Sequence, residues 1–113
     1  MNKILIVDDD LSIRKLIRAY LRQEGFEPYE AENGKEAFDV LASVKIDLVI
    51  LDVMMPEMDG WNFCRELKAN ADIPVILVTA RGEQPEKIRG FQLGADDYVV
   101  KPFDPMELVM RVK

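Results

Sequence analysis

The sequence predicts an α/β fold, a doubly wound five-stranded parallel sheet with strand order 2-1-3-4-5. Three observations carry this expectation. Short apolar runs alternate with stretches of helical period along all 113 residues, the pattern of strand–helix repeats joined by right-handed crossovers with helices on both faces. Three of the runs, Ile4-Leu5-Ile6-Val7, Leu48-Val49-Ile50-Leu51 and Val75-Ile76-Leu77-Val78, are continuous rather than alternating, as parallel strands covered on both faces read. Two weaker candidates, Glu27 to Ala31 with its Pro28 and Tyr98 to Val100, are interrupted by proline or polar residues, which suits edge strands. The second and fifth strands are the edges in this strand order.

The helices follow in turn. Ile13, Leu16, Ile17, Tyr20 and Leu21 recur at helical spacing after the first run, and Gly25 marks a stop. Ala37, Phe38 and Leu41 mark a second helix after Asn33-Gly34, and Phe63, Cys64 and Leu67 a third after Asp59-Gly60. A fourth starts near Pro85, a residue favoured in the first helical turn, and ends at Gly94, with a thin apolar face of Ile88 and Phe91. The fifth opens at Asp104-Pro105, where Glu107 is placed to complete a capping box with Asp104, and carries Leu108, Val109 and Val112. This last pattern stops at Lys113 without a cap or breaker. The expectation is one domain over 1–113, excised from a longer chain.

Composition narrows the chemistry. With no His and one Cys, the chain cannot build the usual zinc sites, a Ser-His-Asp triad or a Cys-His pair. Carboxylates, Lys, Arg and hydroxyls must supply whatever chemistry there is. A formal net charge of -6 argues against a nucleic-acid surface, whose affinity comes from clustered Lys and Arg. No apolar run approaches the roughly 18 to 20 residues of a membrane span, and no signal-peptide pattern opens the chain. The expected location is the cytoplasm, with no membrane contact.

The polar residues that remain gather at one edge. Ligands of open parallel sheets bind outside the carboxyl ends of the strands, where the strand order reverses. There the first strand runs into Asp8-Asp9-Asp10, the third into Asp52, the fourth into Thr79-Ala80 and the fifth into Lys101-Pro102. Two carboxylates about 4 Å apart repel by roughly 4 kcal/mol at an effective dielectric of about 20. A cation relieves this, and a site with few, oxygen-only protein ligands favours Mg²⁺, which keeps several waters. Spare coordination positions, a Lys and a hydroxyl donor together suit a phosphoryl group.

The segments ILIVDDD (Ile4 to Asp10), LDVMMPEMDG (Leu51 to Gly60), VTAR (Val78 to Arg81) and GADDYVVKPF (Gly94 to Phe103) resemble, in order and over essentially the whole length, the receiver domains of bacterial two-component response regulators. The resemblance is strongest to the branch that carries a winged-helix DNA-binding effector. It implies the flavodoxin-like (βα)5 receiver fold. It also implies that Asp52 is the phosphoacceptor, attacking a phosphoryl group carried on the histidine of a partner sensor kinase, so that the chain needs no His of its own. Mg²⁺ would be coordinated by Asp9, Asp52 and the Met54 backbone carbonyl, with Asp8 acting through water. Lys101 would pair with a phosphoryl oxygen.

The same resemblance assigns a switch. Thr79 would donate a hydrogen bond to the phosphoryl group, Ala80 would leave room for it, and Tyr98 would turn inward into the space that Thr79 vacates. This would remodel the face of the fourth helix, fifth strand and fifth helix into a homodimer interface. Lys87 with Glu107 and Asp97 with Arg111 sit at the family's pairing positions there, with Asp96 and Arg89 as further candidates. DNA would be bound by an effector domain and not by this one.

Simpler readings stand beside these. Asp8 and Asp9 could cap the first helix, and for Asp10 capping is the preferred role, shared with Ser12. Lys87, Asp97 and Arg111 could form an ordinary solvated surface. Cys64 and the Met residues read as packing, and Trp61 has no assignable chemistry. Asp8, Asp10 and Ser12 also approximate the D-x-D-x-[TV] signature of haloacid-dehalogenase-type phosphatases, but the chain has no room for a cap domain. A flavodoxin-like FMN carrier shares the architecture, yet three successive aspartates would repel the cofactor's phosphate. A non-phosphorylated interaction module fits poorly with an intact set of site residues.

Overall fold

A computed structural model describes residues 2–52, 66, 73–79, 97–100, 110 and 112. The elements are β1 (Lys3–Val7), α1 (Leu11–Gln23), β2 (Glu27–Ala31), α2 (Gly34–Ser43), β3 (Leu48–Asp52), β4 (Val75–Thr79) and β5 (Asp97–Val100). The strands form one sheet in the order β2-β1-β3-β4-β5, all paired in parallel. All five expected strands are present, and the proline-bearing β2 lies at an edge. Helical periods three and four fall mostly outside the described residues, as does most of the fifth; Glu66, Met110 and Val112 are helical.

Strand parity sorts the core into two layers. Leu5, Val7, Val49, Leu51, Val75 and Leu77 face one side with Ala31 and Ala37, where Val40 and Leu41 of α2 pack. Ile4, Ile6, Ile50, Ile76 and Val78 face the other with Ile17 and Leu21 of α1, joined by Val112. Because both faces of β1, β3 and β4 are covered, neither parity position can be polar until the strands end. That is the physical reason for their continuous apolar runs.

Local chemistry sets the helix ends. Asp10 caps α1, its carboxylate accepting from Ser12 N at 2.9 Å and Ile13 N at 3.3 Å, so two otherwise orphaned donors are satisfied. The backbone of Ser12 is thus a donor to the cap, and its side chain does not share the role. At the other end Gly25 takes φ +89, a left-handed conformation with little penalty only for glycine. Asn33 caps α2 by accepting from Glu36 N at 2.9 Å, while Glu36 Oε1 accepts from Glu32 N at 3.0 Å. These two bonds are a variant of the capping box.

The buried stripe of α1 differs from the periodic reading in one respect. Ile17 and Leu21 are buried, but Leu16 is 46% exposed, and Arg14 is buried instead. At 100° per residue Arg14, Ile17 and Leu21 share a face that Leu16 does not. Phe38 likewise faces outward on α2, at 37% exposure, while Ala37 takes the core position.

Candidate functional site

The topology brings three carboxylates to one point. β1 and β3 pair with a constant offset, Ile4 opposite Leu48 through Val7 opposite Leu51, and the same offset sets Asp8 across from Asp52. Both residues continue the parity of Ile6 and Ile50, hence the α1 face. Asp8 and Asp52 are buried, at 2% and 3% exposure, and Asp9 is exposed. Ligand oxygens of Asp8, Asp9 and Asp52 all lie within 4.8 Å of one another.

At that separation the two buried carboxylates repel by roughly 3 kcal/mol or more, taking an effective dielectric of about 20. An all-oxygen donor set, two of its members buried and one open to solvent, fits a hard divalent cation that retains waters. The residues present therefore suit a metal ion of this class.

Hydrogen bonds fix the first of these carboxylates. Asp8 N donates to Ala31 O at 3.1 Å, one residue beyond the β1–β2 ladder. Asp8 Oδ1 accepts from Asp10 N at 2.9 Å. The Asp8 carbonyl accepts from the Arg14 guanidinium. Arg14 Nε in turn donates to Glu30 Oε1 at 3.1 Å, and Glu30 Oε2 accepts from Arg18 at 3.1 Å. Sequence reasoning missed Arg14 entirely. Its only signal was its spacing from Ile17 and Leu21, and an Arg there reads by default as a surface residue.

Of the remaining expected site residues, Thr79 is the last residue of β4, opposite Val100, while Asp97 and Tyr98 open β5 opposite Ile76 and Leu77. Thr79 thus ends its strand at the same edge as Asp52, whose β4 neighbour is Val78. Met54, Ala80, Lys87, Arg89, Asp96, Lys101, Glu107 and Arg111 lie outside the described residues. Asp10 does not join the acidic group: its carboxylate is engaged by α1 backbone donors. This weakens the phosphatase-like D-x-D reading, which needs both aspartates at the reaction centre.

A doubly wound sheet with a buried acidic pair and a third carboxylate at its switch point defines a class of α/β domain whose ligands bind at the carboxyl ends of the strands, here beside carboxylates that could hold a cation. The chain belongs to the response regulator receiver domain family, whose model matches residues 4–113. It is 47% identical over 112 residues to the transcriptional regulatory protein SrrA of Staphylococcus aureus, an alignment covering 99% of this chain and 46% of that protein. The chain thus spans under half the length of this curated relative. Among solved structures it is similar to the receiver domain of the Francisella response regulator 1452, with TM-score 0.91, 36% identity and coverage of 99% and 93% of the two chains. It is also similar to the BeF3-activated N-terminal receiver domain of Klebsiella pneumoniae RstA, with TM-score 0.90, 36% identity and coverage of 98% and 95%. Receiver domains are signalling domains of two-component systems, and membership implies phosphorylation-dependent signalling. No helix among the described residues is long and apolar enough to cross a membrane.

Proposed function

We propose that this domain is a phosphorylation-activated switch in which Asp52 accepts a phosphoryl group from a kinase histidine, with Mg²⁺ held by Asp8, Asp9 and Asp52. The observation that supports it most directly is the convergence of those three carboxylates at the carboxyl edge of β1 and β3. An Asp52 carboxylate oxygen attacks phosphorus in line with the scissile bond. The O–P bond forms as the P–N bond of the phosphohistidine breaks, and the electron pair stays on the imidazole nitrogen, which takes a proton from solvent. The product is an aspartyl phosphate. Bound Mg²⁺ would supply charge neutralisation at the phosphoryl oxygens.

The chain's own residues do the rest. Burial of Asp52 keeps bulk water from the acyl phosphate, and Asp9, open to solvent, lies where an incoming ion first meets the site. Lys101 would pair with a phosphoryl oxygen, the Met54 carbonyl would complete the protein's oxygen ligands, Ala80 would leave space, and the Thr79 hydroxyl would donate to the phosphoryl group. Thr79 and Tyr98 form the bistable element. Its change of state reshapes a face on which Lys87, Asp96, Asp97, Glu107 and Arg111 make a homodimer. Similarity to a transcriptional regulatory protein supports an output in transcription, with DNA bound by a separate effector domain.

The test is Mg²⁺-dependent labelling by acetyl phosphate, read by intact-protein mass. Wild type gains one phosphoryl group and Asp52→Asn gains none. A label that survives Asp52→Asn overturns the assignment.

A further inference from the structure

We propose that Arg14 is a positioning residue for the metal, holding the Asp8 main chain so that the Asp8 and Asp52 carboxylates keep the spacing an ion requires. This rests on reading Asp8, Asp9 and Asp52 as a Mg²⁺ site. The ladder between β1 and β2 ends at Val7 opposite Ala31. Asp8 is the first residue past that ladder, and it is 2% exposed. Its N–H still reaches Ala31 O at 3.1 Å. The carbonyl, buried past the ladder, is taken by the Arg14 guanidinium. With Asp10 N on Oδ1 at 2.9 Å, Asp8 is held at its amide, its carbonyl and its carboxylate.

Arg14 is itself held. Its side chain is only 10% exposed, and Nε meets Glu30 Oε1 at 3.1 Å, with Arg18 on the second oxygen of Glu30 at 3.1 Å. A desolvated guanidinium in the α1 stripe with Ile17 and Leu21 is costly compared with an apolar residue of similar volume. Packing of α1 alone therefore does not account for an Arg at this position. The carbonyl bond gives it a task that an apolar side chain cannot perform. It does so through the main chain of Asp8, without occupying any coordination position of the ion. Outer-shell groups that orient ligands in this way typically change metal affinity by 10- to 100-fold when removed.

A merely structural staple between α1 and β2 makes a different prediction, and Glu30 separates the two. Glu30→Gln breaks the ion pair but leaves the guanidinium free to hold the Asp8 carbonyl. Arg14→Met and Arg14→Gln remove that bond. Calorimetric titration with MgCl2 is expected to show a dissociation constant raised roughly 10-fold or more in either Arg14 variant, and unchanged in Glu30→Gln despite lower stability to urea. Wild-type affinity in a folded Arg14 variant, or equal weakening in Glu30→Gln, overturns the proposal. If neither Arg14 variant folds, side-chain NMR of wild type decides. The Arg14 Nε–H resonance is expected to shift with the Asp8 amide on Mg²⁺ addition while that of Arg18 does not, and an unmoved Arg14 resonance overturns the proposal. A wild type that binds no Mg²⁺ overturns the metal-site reading, and this proposal with it.

Discussion

Asp9 differs from its two partners in exposure, and that difference makes it the best single residue on which to read the metal. Asp8 and Asp52 are buried and tied into the fold, so their replacement mixes packing with ligand effects. Asp9 is exposed, and its carboxylate lies within 4.8 Å of the other two, so losing its charge removes no packing and relieves like-charge repulsion. A ligand that binds only the native state stabilises it by about 2.7 kcal/mol when present at roughly 100 times its Kd. Thermal unfolding of wild type is therefore expected to move upward with added Mg²⁺. In Asp9→Asn the midpoint without metal should rise, as repulsion among the carboxylates is relieved, while most of the Mg²⁺ shift disappears. Retention of the full shift in this variant would count against Asp9 as a ligand.

At the scale of elements, α1 is where local and tertiary demands meet. Its N-terminus depends on the Asp10 cap and its C-terminus on the left-handed turn at Gly25. Asp10→Ala should cost about 1 kcal/mol, and Gly25→Ala about 1 to 2 kcal/mol from the positive φ alone, since a Cβ there meets no atom within 4 Å. Urea denaturation of the two variants measures both losses. The positions are far apart and share no partner, so the double variant should show near-additive loss. The Asp10 variant carries a second readout, because Asp10 N orders Asp8 Oδ1 through the main chain. A side-chain truncation leaves that bond in place, and Mg²⁺ affinity is expected to persist.

Across the whole molecule, the net charge of -6 has a definite location. Part of it is gathered at the carboxyl edge of the sheet, where phosphoryl chemistry and a divalent cation would use it. The switch proposed above acts at this scale, since a hydroxyl at the end of β4 must alter a face built from other elements. Sedimentation of the domain with beryllofluoride and Mg²⁺, compared with Mg²⁺ alone, is expected to show a larger mass in the first condition. Equal masses well above the dimer affinity would count against the dimer and leave phosphorylation standing.

Much of this was legible in the residue order, for physical reasons that differ between features. Strands covered on both faces must be apolar at every position, so β1, β3 and β4 announce themselves as unbroken runs and stop abruptly at Asp8, Asp52 and Thr79. Edge strands need less burial, and β2 could carry Pro28. The acidic group was readable because a parallel sheet sends every strand's carboxyl end to the same side. Arg14 was not readable. Its partners are Glu30, sixteen residues away, and a backbone carbonyl, and a guanidinium written into a charged helix looks like any solvated surface group. Leu16 and Phe38 failed in the converse sense: apolar residues at near-helical spacing read as core, yet a rotation of 100° separates a buried position from an exposed neighbour. The pattern of apolar burial and the side on which the carboxylates collect thus followed from the sequence alone, because they depend on residue type and period. Which helix positions turn inward, and which side chain holds the Asp8 main chain, were decided only when α1 docked across β1 and β2, because those contacts join residues that no local spacing relates.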